Sequence, residues 1–182
     1  MIISLYGLPA SGKSSLAKEL SSHLDIPMFS LGERIRKEVK GKSPIGKTME
    51  IQLRNNGVLD SDLASNVVMN EIKGKQTMIL DGFPRNVEQA KTFQRMSPRF
   101  ISILIYLDCS KEIVSKRYIN RDYNEIRDDL EDLNERIRVF YDNHYALLTF
   151  LDGTKCEILK IDGNSSQKKI FKDAIAIMNK LN

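Results

Sequence analysis

The chain has 182 residues, of which 41% are hydrophobic and 29% charged, which is typical of one globular domain with a buried core. The net charge of +4 is modest and the basic residues form no stripe, which argues against a nucleic-acid-binding protein. Cys109 and Cys156 form no CxxC pair, so neither a zinc site nor a disulfide framework is indicated, and we expect two buried thiols.

Short apolar runs alternate with helical patterns along the chain. The runs that predict strands are residues 2–6, 27–30, 77–81, 100–107 and 157–161. The patterns that predict helices are residues 14–24, 87–95, 111–121, 130–150 and 166–181, and residues 31–73 are helical by pattern with breaks at 41–44 and 55–57. This alternation predicts an α/β fold with a five-stranded parallel sheet, helices on both faces, and a ligand site at the carboxyl ends of the strands.

A glycine-rich loop joins the first predicted strand to the first predicted helix. Residues 7–14 read GLPASGKS and match the pattern G-x-x-x-x-G-K-[ST] in full. Glycines let such a loop turn its backbone N–H groups toward an anion, and the following helix adds the positive end of its dipole. Lys13 can reach the outer phosphates and the Ser14 hydroxyl can contact Mg²⁺, so the loop predicts binding of a nucleoside triphosphate or a close relative.

A second polar segment, Asp81-Gly82-Phe83-Pro84-Arg85, follows the third predicted strand. An aspartate at the carboxyl end of that strand faces the glycine-rich loop and is placed to orient Mg²⁺-bound water. Gly82 allows a flat ligand to approach the backbone, Pro84 stiffens the turn, and Arg85 offers a forked donor for a phosphate. We therefore expect both segments to contribute to one site.

The glycine-rich loop, Ser30-Leu31-Gly32-Glu33-Arg34-Ile35-Arg36 and the Asp81–Arg85 segment together resemble adenylate kinase and its nucleoside monophosphate kinase relatives. The order, the spacing and the closing Ile161-Asp162-Gly163 agree over nearly the whole chain. The resemblance implies a single three-layer P-loop kinase domain over residues 1–182, with a helical monophosphate-binding insertion at about residues 30–60 and a short lid at about 121–129. It implies transfer of the γ-phosphoryl of ATP, with Mg²⁺, to a nucleoside monophosphate by a monomer.

On the donor side, the resemblance implies ATP binding by the loop and by two arginines that follow it in the chain. The ATP-binding residues are Gly7, Pro9, Ala10, Ser11, Gly12, Lys13, Ser14, Ser15, Arg117 and Arg121. Ser14 and Ser15 replace a usual Gly-Thr pair, so either hydroxyl can serve the metal, together with Asp81 and mostly through water. Ala10 replaces a usual glycine, which is tolerable if its backbone angles stay ordinary.

On the acceptor side, the resemblance implies that Arg36 and Arg85 hold the phosphate and that Gly82 and Gln89 touch the base. The acceptor-binding residues are Leu31, Gly32, Arg36, Leu59, Gly82, Arg85, Gln89, Arg127, Arg136 and Arg138. Adenylate kinases carry a glutamine four residues after the arginine that ends the Asp-Gly-Phe-Pro-Arg segment, whereas UMP-CMP kinases usually carry an asparagine there. Gln89 therefore favours AMP as the acceptor, with CMP or UMP as the alternative. Leu31 replaces a small or hydroxyl residue and either narrows the pocket or packs against it.

Five arginines between residues 117 and 138 resemble those that close over the triphosphate in this family, where guanidinium groups stabilise the transferred charge. The catalytic residues implied are Lys13, Asp81, Arg85, Arg121, Arg127 and Arg138. The Arg127-Asp128-Asp129 segment resembles an Arg-x-Asp-Asp signature with one residue missing, so Arg136 and Arg138 remain alternatives for the next position.

Two further expectations concern class and location. No apolar run reaches membrane-spanning length and no charged leader precedes the first strand, so we expect a cytoplasmic protein that binds neither membrane nor nucleic acid. The alternative from another class is a module that senses nucleotides without turnover, or an assembly factor with slow ATP hydrolysis.

Overall fold

The computed structural model describes residues 1–120 and 133–179. The strands are β1 (Ile2–Gly7), β2 (Met28–Ser30), β3 (Met78–Asp81), β4 (Ile103–Asp108) and β5 (Glu157–Asp162). The helices are α1 (Lys13–Leu24), α2 (Leu31–Lys40), α3 (Pro44–Asn56), α4 (Ser61–Ile72), α5 (Val87–Met96), α6 (Lys111–Ile119), α7 (Leu133–Asp152) and α8 (Gln167–Met178). Within these described residues, none of the helices combines the length and apolarity needed to cross a bilayer.

All five strands lie parallel in one sheet with the order β2-β3-β1-β4-β5, which confirms the predicted parallel α/β fold. Leu5 of β1 and Ser30 of β2 both pair with Asp81 of β3. Gly7 at the end of β1 pairs with Leu107 of β4. The carboxyl ends of the central strands therefore meet at one edge, where the glycine-rich loop, Ser30 and Asp81 come together.

Alternating side chains of the central strand divide the core into two layers, as the period of two in a strand requires. Ile3 and Leu5 of β1 pack in one cluster with Leu16 and Leu20 of α1 and with residues of α8. Tyr6 belongs to the cluster on the other face, which includes side chains from α4, α5 and α7. This is the three-layer arrangement expected when helices cover both faces of a parallel sheet.

The stretch between β2 and β3 is helical with the two predicted breaks. Helix α3 begins with Pro44 after an N-cap at Ser43, whose hydroxyl accepts the Gly46 N–H at 3.0 Å. It ends before Gly57, which has a φ of +66° and so terminates the helix in a conformation that favours glycine. Asp60 then caps α4 by accepting the Leu63 N–H at 2.7 Å.

Two smaller expectations have different outcomes. Cys109 and Cys156 are buried and free, as predicted, and burial raises the pKa of the Cys156 thiol to about 11. The prediction that the fourth strand begins at residue 100 is wrong by three residues, since β4 begins at Ile103 and Phe100 is partly exposed. An apolar run alone does not mark where ladder pairing starts.

Candidate active site

The backbone of the glycine-rich loop takes conformations that favour residues without a side chain. Gly7 has a φ of +145° and Gly12 a φ of +101°, and a Cβ on Gly7 would lie 2.6 Å from the Leu107 carbonyl oxygen. Ala10 has a φ of +60°, so the condition of ordinary backbone angles, under which alanine would be tolerated here without cost, is not met. The left-handed region costs an L-residue about 1 kcal/mol or more, and the loop holds Ala10 there despite that cost.

Lys13 folds over the loop and contacts its carbonyl groups. Its Nζ donates to the carbonyl oxygens of Gly7 at 2.8 Å and Leu8 at 2.5 Å, and to the Ser11 hydroxyl at 3.2 Å. The ammonium group is thereby held against the loop, at the start of α1. This position places a positive charge where the loop N–H groups and the helix N-terminus already favour an anion.

Asp81 lies at the centre of a small polar cluster at the strand ends. Its Oδ2 accepts hydrogen bonds from the Ser14 hydroxyl at 2.6 Å and the Ser30 hydroxyl at 2.9 Å, and the residue is only 4% exposed. The hydroxyl and carboxylate oxygens of Ser14 and Asp81 are the hard donors that Mg²⁺ prefers. Ser15 is exposed, so Ser14 is the serine that the structure brings to Asp81.

Arg36 and Arg85 converge beside Gly32, although one is on α2 and the other follows β3. A Cβ on Gly32 would lie 3.3 Å from Arg36 Nη1, 3.9 Å from Arg85 Nη2 and 4.0 Å from the Ser30 hydroxyl. Arg85 also donates from Nε to the Gly82 carbonyl oxygen at 3.4 Å. The two guanidinium groups therefore lie next to the Asp81 cluster, at the same edge of the sheet, and forked guanidinium groups are suited to bind phosphate.

Gly82 and Gln89 differ in what they offer a ligand. Gly82 has a φ of +79° and a Cβ there would meet nothing within 4 Å, so open space lies beside it. Gln89 is fully buried and its side-chain amide bonds to the Arg85 N–H and the Leu59 carbonyl. Leu31 is 1% exposed and belongs to the core cluster. Of the two alternatives for this residue, narrowing the pocket or packing against it, the structure shows packing.

Arg117 links the glycine-rich loop to the loop after β5. Its Nη1 donates to the Ser11 carbonyl oxygen at 2.9 Å and its Nη2 to the Ser165 carbonyl oxygen at 2.8 Å. Gln167 also reaches this loop, since a Cβ on Gly12 would lie 3.1 Å from its Oε1. The sequence analysis missed Ser165 and Gln167, because only the chain fold brings the start of α8 next to residues 11 and 12.

Of the remaining predicted arginines, two lie outside the described residues and two lie on α7. Arg121, Arg127 and the predicted lid at about residues 121–129 lie outside the described residues. Arg138 lies on the exposed side of α7, where it pairs with Glu135 and with Asp142 at 3.0 Å; its hydrogen bond to Glu135 lowers the pKa of that carboxyl below its ordinary value.

Arg136 lies on another side of α7. It is half-buried and three residues from Val139, with which it shares a helical face. A Cβ on Gly57, at the end of α3, would lie 2.8 Å from Val139 Cγ2. Arg136 is therefore on the side of α7 that faces the helices between β2 and β3, whereas Arg138 points to solvent.

An aromatic cluster lies under the loop and joins α7 to the sheet. The His144 ring lies 5.8 Å from that of Tyr6, 5.0 Å from that of Tyr106 and 5.0 Å from that of Phe140. His144 thus packs between α7 and the residue that precedes Gly7. Its burial lowers the pKa of the imidazole.

Comparison with known proteins gives consistent matches over most of the chain. The sequence model of a family described as Adenylate kinase matches residues 5–155. "Probable UMP-CMP kinase 1" of Arabidopsis thaliana is 24% identical over 182 aligned positions, which cover 97% of this chain and 87% of that protein. "Adenylate kinase" of Thermosipho melanesiensis is 27% identical over 215 positions, covering 99% and 100%. "Adenylate kinase" of Rickettsia akari is 35% identical over 129 positions, covering 66% and 58%.

Proposed function

Since this chain belongs to the adenylate kinase family and is therefore an ATP-dependent nucleoside monophosphate kinase, we propose that its acceptor is AMP and that it catalyses ATP + AMP to two ADP. The observation that carries the proposal is the pair of anion-binding surfaces at one sheet edge. Lys13 and the loop N–H groups form one surface, and Arg36 and Arg85 form the other beside Gly32. Support for AMP comes from relatives named adenylate kinase and from Gln89, which the family resemblance associates with adenylate kinases.

On the donor side, we assign the β- and γ-phosphates of ATP to the glycine-rich loop and Lys13. Lys13 would exchange its three contacts within the loop for phosphate oxygens, which are charged and therefore make stronger hydrogen bonds. Arg117 keeps the loop after β5 next to the glycine-rich loop and so shapes the wall on which the donor nucleotide lies. Mg²⁺ would be held by Ser14 and, through water, by Asp81, and when bound it neutralises charge on the phosphates.

On the acceptor side, Arg36 and Arg85 orient the monophosphate so that one of its own oxygen atoms attacks in line. Phosphoryl transfer requires positioning and charge stabilisation rather than a protein nucleophile, and a forked guanidinium group provides both. The predicted lid with Arg121 and Arg127, together with one arginine of α7, would close over the transferred group. We favour Arg136 over Arg138 for that last role, because Arg136 shares a side of α7 with Val139, which faces the end of α3, whereas Arg138 lies on the exposed side.

CMP or UMP is the second candidate for the acceptor. Two observations favour it: relatives named UMP-CMP kinase in Arabidopsis thaliana and rice align over 97% or more of this chain, and Leu31 is a buried apolar residue beside the acceptor surface. Leu31 provides no hydroxyl to an adenine ring.

A panel of monophosphates tests the assignment. Phosphoryl transfer from ATP is measured with AMP, CMP, UMP, GMP and dTMP at equal concentrations with Mg²⁺, and ATP hydrolysis without a monophosphate serves as the control. We expect kcat/KM for AMP to exceed that for any other acceptor by about tenfold or more, the range that differential hydrogen bonding to a base supplies. A higher value for CMP or UMP would reject AMP. ATP hydrolysis that no monophosphate changes would reject the acceptor site.

We also propose that the protein acts as a cytoplasmic monomer. The loop, the Asp81 cluster and the two arginines all come from one chain, and both described thiols are free. Light scattering at working concentration would give the mass of one 20.8 kDa chain.

A further inference from the structure

The central strand β1 carries a hydroxyl group within a run of apolar and aromatic side chains. Ser4 is 0% exposed and pairs with Leu80 of β3 on one side and with Leu104 of β4 on the other. Because side chains alternate along a strand, the Ser4 side chain lies on the same face of the sheet as that of Tyr6. A hydroxyl group buried at such a place costs free energy unless it makes a hydrogen bond.

The hydrogen bond of Ser4 reaches a segment far along the chain. Its Oγ donates to the Phe83 carbonyl oxygen at 2.5 Å, across 79 residues of sequence. Phe83 is 0% exposed, and its ring packs edge-on against that of Phe93 in α5 at a centroid distance of 5.5 Å. A buried carbonyl group requires a donor as much as a buried hydroxyl requires an acceptor, so this contact satisfies both groups.

This hydrogen bond joins the two segments that carry the proposed phosphate-binding groups. Ser4 comes three residues before Gly7, where the glycine-rich loop begins, and Phe83 comes two residues before Arg85. A Cβ on Gly82 would meet nothing within 4 Å, so packing at that residue does not hold the turn after β3. The turn is held where Phe83 meets β1 and α5.

We propose that Ser4 is a positioning residue whose hydroxyl group anchors the turn after β3 to β1, and so fixes Arg85 relative to the glycine-rich loop. The proposal rests on the proposed function, because it assigns the donor phosphates to the loop and the acceptor phosphate to Arg85. In-line transfer requires the two nucleotides at a defined separation, and a misplacement of about 1 Å lowers the rate by about 100-fold. Ser4 is fully buried and acts on the reaction through the backbone of the turn.

Two alanine substitutions compare a buried serine that makes a hydrogen bond with one that makes none. Ser4→Ala removes the donor to Phe83. Ser65→Ala removes a hydroxyl on α4 that is also 0% exposed but has no hydrogen-bond partner within the described part of the chain. We expect Ser4→Ala to lower kcat/KM for the preferred monophosphate by about 10- to 100-fold.

The same comparison separates the acceptor side from the donor side. Ser4→Ala should leave the KM for ATP within about twofold of the wild-type value, since Lys13 and the glycine-rich loop keep their contacts. Ser65→Ala should match the wild type for both substrates. Equal kinetics of Ser4→Ala and Ser65→Ala would overturn the proposal.

Ser4→Thr and Ser4→Val give a readout that a role in packing alone would not produce. Both side chains are β-branched and have nearly the same shape, and only threonine carries a hydroxyl group. If Ser4 only filled space in the core, valine would serve at least as well as threonine, because it buries no polar group. We expect the reverse: Ser4→Thr recovers kcat/KM to within about threefold of the wild type, and Ser4→Val resembles Ser4→Ala. A valine variant as active as the threonine variant would contradict the positioning role.

Carbonyl NMR detects the anchor without any measurement of activity. Phe83-Pro84 is the only Phe-Pro pair in the sequence. Protein labelled with carbonyl-¹³C phenylalanine and ¹⁵N proline therefore gives one signal from a directly bonded ¹³C–¹⁵N pair, that of the Phe83 carbonyl. Loss of the hydrogen bond to its oxygen moves the carbon signal to lower chemical shift. We expect this move in Ser4→Val, and a signal near the wild-type position in Ser4→Thr.

The outcomes distinguish this proposal from the proposed function. Absence of transfer by the wild type would reject the proposed function alone, since the anchor is observed in the carbonyl signal. An unchanged signal in a folded Ser4→Val protein would reject the positioning role alone. So would a moved signal in a Ser4→Val protein that transfers phosphoryl groups as fast as the wild type.

Discussion

The guanidinium of Arg138 is held on the outer side of α7 by Glu135 and Asp142, whereas Arg136 lies on the side that faces the helices between β2 and β3. We predict that Arg136→Ala lowers kcat by about 100-fold or more, the effect of removing one preorganised charge donor from a transition state. Arg138→Ala should change kcat by less than about twofold, since exposed ion pairs contribute little. Steady-state kinetics with ATP and AMP show which of the two substitutions lowers kcat, and thermal melting of both variants checks that they fold. The opposite ranking would contradict the assignment.

His144 makes stability depend on pH in a defined direction. Its imidazole packs on Tyr6 and Tyr106, near Asp108, which raises its pKa, and Lys160, which lowers it; burial is the largest effect and the pKa is lowered. The unfolded chain, with a histidine pKa of about 6.5, therefore binds this proton more readily than the folded protein. The contribution to stability is complete above about pH 6.5 and is lost as the pH falls below that value.

We therefore predict that the wild type loses free energy of unfolding between pH 7 and pH 5 more steeply than His144→Phe. Phenylalanine retains the ring packing and has no proton to bind. Urea unfolding at a series of pH values gives both slopes. Parallel slopes for the two proteins would show that the imidazole has the same pKa in the folded and unfolded states, contrary to the prediction.

The role of a single residue could be predicted where the residue belongs to a local sequence motif. It could not be predicted where the role depends on a hydrogen-bond partner that is distant in the sequence. The glycine-rich loop, Lys13 and the placement of Asp81 beside the loop follow from pattern and strand polarity. The left-handed backbone angle of Ala10 could not be predicted, because alanine disfavours a positive φ. The burial of Gln89 depends on a carbonyl 30 residues earlier, which no local pattern contains.

At the scale of elements, the contact between the end of α3 and helix α7 can be tested with a glycine pair. Gly57 has a φ of +66° and a Cβ there would lie 2.8 Å from Val139 Cγ2, while Gly74 has a φ of +75° and nothing within 4 Å of its Cβ. Gly74→Ala should cost only the backbone strain, about 1 kcal/mol. Gly57→Ala should cost that strain and about 1–3 kcal/mol more from overpacking.

A second substitution isolates the contact. In a Val139→Ala background the added methyl group has room, so Gly57→Ala should cost about the same as Gly74→Ala, and a double-mutant cycle from denaturant unfolding measures the difference. Equal losses of unfolding free energy for the two glycine substitutions in the wild-type background would show that Val139 of α7 does not restrict the space beside Gly57.

Element boundaries could be predicted where capping residues mark them. Ser43, Pro44 and Gly57 fix the ends of α3, and the observed breaks follow from those residues. Strand β4 has no comparable mark, so its predicted start is three residues early. Pairing, rather than apolarity, decides where a strand begins, and pairing is a property of two segments at once.

At the scale of the whole molecule, alternation of strands and helices was sufficient to predict a parallel sheet but not the order of its strands. The order places β3 and β4 on either side of β1. As a result, Asp81 lies next to the loop that follows β1, and Arg117 of α6 reaches the same loop from the other side. The site is therefore assembled from segments that are far apart in the chain: 67 positions separate Ser14 from Asp81, and 106 separate Ser11 from Arg117.

This assembly predicts that one ligand with a nucleoside at each end engages both anion-binding surfaces together. Adenosine-pentaphosphate-adenosine should raise the melting temperature more than ATP or AMP does alone at equal concentration, because it contacts Lys13 and the arginine pair at once; a ligand at 100 times its Kd adds about 2.7 kcal/mol to stability. Arg85→Ala should abolish this excess and retain the shift that ATP produces, since Arg85 lies beside Gly32 and we assign it to the acceptor phosphate. Differential scanning fluorimetry on both proteins measures these shifts. A double-headed ligand that stabilises the wild type no more than ATP would mean that the two surfaces do not form one continuous site.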